Sequence, residues 1–189
     1  MLLIAVCVLL LASPLGVGRW PARLLLRPWR LPVLIWAALL LQVAALEVPL
    51  PQGVAPVLHV LTYVAALTFL WLNRDAPGTL IVGIGALSNG LTIILNGGTL
   101  PASTGAVHAA GLDHGDGFSN SAVLDDPVLP WLGDVFAWPA PLPLANTFSL
   151  GDVIIVLGVA IAAWTGTHRF GKAEPAAPHS GPRPPAEHQ

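Results

Sequence analysis

Between Asp75 and His168 this chain has no lysine or arginine, although six aspartates fall in that interval. Charge is scarce throughout: 10% of residues are Asp, Glu, Lys or Arg, against roughly 25% in an ordinary soluble domain. Cysteine is nearly absent. Cys7 stands alone, which excludes an intramolecular disulfide and any metal site built from thiolates of this chain. No basic, aromatic-interleaved patch points to nucleic acid. Nor is there an H-E-x-x-H, a G-x-S-x-G or a phosphate-binding glycine loop, and Ser119, Ser121 and His114 form no triad pattern. No cofactor is therefore expected.

What the chain has instead is apolar length. Of 189 residues 54% are hydrophobic, and the mean hydropathy is +0.73. Five apolar stretches predict helices over about 1–17, 31–46, 57–72, 79–95 and 150–167. At 1.5 Å per residue, runs of roughly 16 to 18 residues span about 24 to 27 Å, a little short of a ~30 Å bilayer core. Basic residues fall in the segment 18–30, at Arg74 and after His168, so all lie on one side of a five-span arrangement. Trp20, Trp29, Trp71 and Trp164 lie near the span ends, where an indole suits a membrane interface. The expected fold is an all-α, polytopic membrane helical bundle of five transmembrane helices, N-terminus outside and C-terminus cytoplasmic.

On that expectation residues 1–170 form a membrane domain with an outer lid loop over 96–149. Residues 171–189, rich in proline and alanine, form a disordered cytoplasmic tail. The location is the bacterial plasma membrane, crossed several times. Seven arginines against one lysine, with 19 glycines and 19 prolines, fit a GC-rich bacterial genome. Prolines 130, 139, 141 and 143 rule out a long helix through the lid, yet its many apolar residues suit a compact structure packed on the helix ends.

Three short elements stand out: Asn96-Gly97-Gly98-Thr99-Leu100-Pro101, Leu132-Gly133-Asp134 and Ser149-Leu150-Gly151-Asp152. In their order relative to the helices the chain resembles an uncharacterised family of small bacterial integral membrane proteins, a domain of unknown function. Its members carry N-G-G-x-M-P, L-G-D and S-x-G-D elements. Leu100 stands here in place of the family's Met, and the proline expected soon after the second element is delayed to Pro139. The resemblance implies no activity.

Each candidate site residue has a structural and a functional reading. Asp152 either forms a capping pair with Ser149 at the start of the last helix or lines a polar pocket. Asn96 and its glycines form a helix C-cap and turn, or a ligand site shared with Asp134 and Asp152. Asn89 within a helix wants a polar partner, with Gln42 and Thr92 as candidates, or lies on a substrate path with Gln42 and His59. His108, Asp113, His114 and Asp116 have the residue types of a divalent-metal site but no matching spacing, so no metal is assigned.

The leading expectation is a non-catalytic membrane protein whose outer face contacts membrane lipid, a small ligand, a membrane-protein partner or a second copy. The alternatives are an outer-face enzyme using Asp134 and Asp152 on a lipid-linked or polar substrate, and a transporter component.

Overall fold

The structure is a computed structural model and describes residues 2–51, 53–112 and 120–169. Helix α1 (Leu2–Ala12) passes into a 3-10 turn, Ser13–Val17, because Pro14 has no N–H with which to continue the α-helical ladder. Strand β1 (Arg19–Trp20) and the single turn α2 (Ala22–Leu25) lead to α3 (Val33–Glu47), which Pro32 opens. Helices α4 (Val54–Leu72) and α5 (Thr79–Leu95) follow.

A cap then occupies residues 96–149 and, residues 113–119 aside, contains four strands and one helix. These are β2 (Leu100–Pro101), α6 (Thr104–Ala110), β3 (Ser121–Ala122), β4 (Phe136–Trp138) and β5 (Asn146–Phe148), with a 3-10 turn at Pro130–Leu132. Helix α7 (Leu150–Trp164) and strand β6 (His168–Arg169) complete the described chain.

The long helices lie side by side in the spatial order α3, α4, α5, α7, α1. Their contacts use small residues. The buried apolar side chains include Ala38, Ala45, Ala55, Ala86 and Ala163, whereas Leu9, Trp36, Leu40 and Trp71 are each more than 60% exposed. The crossing of α5 and α7 depends on glycine: a Cβ on Gly78 would lie 2.1 Å from the Gly158 carbonyl oxygen, and one on Gly85 2.4 Å from that of Gly151. No side chain fits at such separations.

Strands β1 and β6 pair antiparallel at one end of the helices. In the cap, β2 and β3 pair parallel, β4 and β5 antiparallel, and Ala102 bridges to Asp134. Gly133 passes so close to β2 that a Cβ there would sit 2.0 Å from the Pro101 carbonyl oxygen.

This architecture corrects the expected all-α bundle of five transmembrane helices. Among the described residues, helices are mixed with three two-stranded sheets. Among the described residues one helix, Val54–Leu72, is long and apolar enough to cross a membrane by length and composition. Helices α1, α3, α5 and α7 have 11, 15, 17 and 15 residues, or about 17 to 26 Å at 1.5 Å per residue. Pro14 ends the first and the Ser149–Asp152 cap opens the last. The expected multi-pass plasma-membrane location rested on those five spans and falls with them. The expected tail, 171–189, lies outside the described residues.

Candidate functional site

The most concentrated polar chemistry lies where α5 meets the start of α7. Ser149 caps α7: its Oγ accepts from the Asp152 amide at 3.0 Å, and Asp152 Oδ2 accepts from the Ser149 amide at 3.0 Å. This reciprocal pair satisfies donors that a helix N-terminus otherwise leaves open. Asn89, reaching over from α5, closes a ring. Its Nδ2 donates to Asp152 Oδ1 at 2.9 Å, and its Oδ1 accepts from Ser149 Oγ at 2.9 Å. Gly151 makes the approach possible, since a Cβ there would lie 2.0 Å from Asn89 Oδ1.

The ring is nearly dry, with Ser149 and Asn89 buried. Burial pushes the Asp152 carboxyl above the usual carboxylate range, opposed by the hydrogen bonds from Ser149 and Asn89 that favour its charged form. Tyr63 of α4 packs on Gly90, beside Asn89. Its phenol is pushed well up by burial first and then by the Asp152 and Asp134 carboxylates. Asn89 therefore partners Ser149 and Asp152 rather than Gln42, which is half-buried on α3.

The other nominated residues are placed separately. Asn96 follows α5 and clasps Val128: its Oδ1 accepts from the Val128 amide at 2.8 Å, and its Nδ2 donates to the Val128 carbonyl at 2.9 Å and to that of Thr92 at 2.7 Å. Asp134 is buried, and its Oδ2 accepts from Thr147 Oγ1 at 3.0 Å. Its backbone joins Pro101 and Ser103. His59 is buried with Nδ1 2.7 Å from the Gly98 carbonyl oxygen, so Nδ1 carries the donated proton in the neutral ring. Burial lowers its pKa, against the opposing effect of that bond.

The Asn96 and His59 contacts fasten the cap to the helices, while those of Asp134 lie within the cap. Asn96, Asp134 and Asp152 each bind a different partner within the chain; the expected function at the outer face of a membrane protein is corrected by the mixed fold, in which one described helix is long and apolar enough to cross a membrane. The transporter reading rested on the same spans and is corrected with them; His59 and Asn89 are engaged in ties between elements. Among the described residues no group of three or more His, Cys, Asp or Glu side chains could hold a metal. His108 lies in α6, and Asp113, His114 and Asp116 fall outside the described residues.

Sequence reasoning missed two features. Tyr63, from a helix more than twenty residues earlier, packs on Gly90 beside the ring. A cleft of about 310 Å³ in the cap is lined by Pro101, Ser103, Leu124, Pro127, Trp131 and their neighbours. The exposed Trp131 beside several prolines was the only signal of it.

A family model described as a family of unknown function, DUF5317, matches residues 24–164, from the turn before α3 through the end of α7. The chain belongs to that family. The expected resemblance is thereby corrected: the membership concerns a family of unknown function, and the integral-membrane character once attached to it has one helix of sufficient length behind it. The chain is also similar to an uncharacterized protein of Thermotoga maritima, at 34% identity over 97 residues, 50% of this chain and 55% of that one. It thus spans about half the length of the curated relative it matches. No solved structure matches.

Proposed function

We propose that this is a non-catalytic binding protein that holds a small, mainly apolar molecule in the cap cleft. The observation that carries the reading is the cleft itself: about 310 Å³, between β2 and the Pro127–Trp131 turn. That volume lies at the lower end of the roughly 300 to 1,000 Å³ of small-molecule pockets. Leu124, Val135 and Trp131 supply apolar contact and the prolines stiffen the walls. Thr104 offers a hydroxyl, while the Ser103 hydroxyl accepts from the Ala106 amide. Among the described residues no charged side chain lines the cleft, which disfavours ions as occupants.

Catalysis is the weaker reading. Both oxygens of Asp152 accept hydrogen bonds within the chain, and the Ser149 hydroxyl is engaged by Asn89 and the Asp152 amide without a histidine to activate it.

Saturation-transfer NMR with indole as probe tests the cleft on the full chain. Indole is expected to receive magnetisation from the wild type, and Leu124→Arg, which fills the cleft with a charged side chain, is expected to abolish the effect. An equal signal from a correctly folded Leu124→Arg protein overturns the reading.

A further inference from the structure

The end of the molecule opposite the cap collects the basic residues. The turn after α1, the strand pair β1/β6 and the turn after α4 meet there: Arg27 pairs with Asp75, Arg30 donates to the Leu72 carbonyl, and Arg19 donates to Thr167. Six arginines, at 19, 23, 27, 30, 74 and 169, thus face one carboxylate, Asp75, at this end among the described residues.

Two features show cations held together without enough counter-charge. Arg19 and Arg169 are direct cross-strand partners in β1/β6, so two guanidiniums project from the same face of an antiparallel pair, a placement that costs stability. Arg27 uses one terminal nitrogen on Asp75, while its Nε is buried without a hydrogen-bond partner. An unmet donor on a charged group is costly.

A cavity of about 410 Å³ opens beside these groups, lined by Ala22, Arg23, Leu26, Arg27, Gly166 and His168. Arg23 is positioned rather than loose. Its amide donates to the Gly166 carbonyl at 3.3 Å, and a Cβ on Gly166 would lie 2.7 Å from the Arg23 Cβ and 2.8 Å from its Cδ. The glycine lets the last turn cross directly over the arginine stem.

We propose that this cavity binds a phosphate group, with Arg23 and Arg27 supplying charge-assisted hydrogen bonds and His168 contributing at its edge. Guanidiniums converge on oxyanions because their planar forks present several donors at once. Phosphate suits the site better than a carboxylate: it offers more oxygens and up to two negative charges to several cations. The phosphate belongs either to a free anion or to a lipid headgroup.

The test uses the purified full chain. Thermal unfolding is followed in inorganic phosphate and in sodium chloride of equal ionic strength, and flotation is measured with vesicles of phosphatidylglycerol and of phosphatidylcholine. Arg23→Gln is compared with Arg74→Gln, which lies outside the cavity. A rise in Tm specific to phosphate, lost in Arg23→Gln and kept in Arg74→Gln, supports the site with free phosphate as its source. Flotation on phosphatidylglycerol alone, with the same variant pattern, supports it with a headgroup as the source. No response of the wild type in either arm, or equal losses in the two variants, overturns the proposal.

Discussion

Gly85 of α5 and Gly151 of α7 cross at backbone contact: a Cβ on the first would lie 2.4 Å from the Gly151 carbonyl oxygen, and one on the second 2.7 Å from the Gly85 carbonyl oxygen. One helical heptad away, Gly78 and Gly158 repeat the relationship. Seven-residue spacing on each helix keeps both pairs on one seam of an antiparallel crossing. Because the obstructing atoms are backbone, they cannot rotate away as a side chain would. Gly85→Ala and Gly151→Ala are each expected to destabilise the protein by about 1 to 3 kcal/mol or more through overpacking. Gly105→Ala, in α6 with nothing within 4 Å of the new methyl, is expected to stabilise by up to roughly 1 kcal/mol. Denaturant midpoints of the three variants check the contrast.

Removing Asn89 strips two buried partners at once. In Asn89→Leu, Asp152 Oδ1 and the Ser149 hydroxyl lose their contacts from α5, and each unsatisfied buried group costs about 1 to 3 kcal/mol. The capping bonds between Ser149 and Asp152 remain, so α7 keeps its start while its attachment to α5 weakens. Hydrogen exchange is expected to speed up along the α5–α7 crossing more than along α3 and α4. Uniform acceleration across all helices would argue against a local tie.

The helices were legible in the sequence to within a few residues. Thr79–Leu95 is found where the apolar run predicts it, and α4 begins three residues before the expected 57 because Pro56 is accommodated in its first turn. Apolar composition alone, however, does not show where backbone hydrogen bonding stops, and the run predicted over 1–17 is α-helical only to Ala12. Strands of two or three residues carry no period-two signal, so the mixed fold was invisible. Asp152 as a capping residue could be read from Ser149 three positions earlier. Its bond to Asn89, 63 positions away, depends on how the helices cross. The partners of Asn96 and Asp134 were illegible for the same reason: Val128 and Thr147 are brought to them by the cap's path.

Two titrations act in opposite directions on stability as the pH falls. His59 has a folded-state pKa below its unfolded value, so its contribution is present above about pH 6.5 and is lost as the pH falls through the folded value. Asp152 has a folded-state pKa above its unfolded value. Its contribution is present below about pH 3.9 and is lost as the pH rises through the folded value. His59→Asn, which keeps a side-chain N–H donor for Gly98, is expected to flatten the loss of stability below pH 6.5. Asp152→Asn removes the opposing trend, so acidification from neutral pH should then destabilise more steeply than in the wild type. Urea midpoints measured at half-unit steps of pH distinguish the two profiles.

Asn96 copies a strand-like backbone pairing with its side-chain amide, accepting from and donating to Val128 thirty-two residues ahead. Both bonds lie at an exposed position, so Asn96→Ala is expected to cost only about 0.5 to 1.5 kcal/mol per bond. The larger effect should be local. The Val128 amide loses its acceptor, and the Pro127–Trp131 wall of the cleft loses its anchor to the end of α5. Asn96→Asp keeps an acceptor for the amide but cannot donate to the carbonyl, and should fall between the wild type and the alanine variant. Amide exchange at Val128 is therefore expected to be slowest in the wild type, faster in Asn96→Asp and fastest in Asn96→Ala. Exchange at Asp152, which the ring with Asn89 and Ser149 holds independently, should stay unchanged, because the clasp and the ring are separate attachments of the cap.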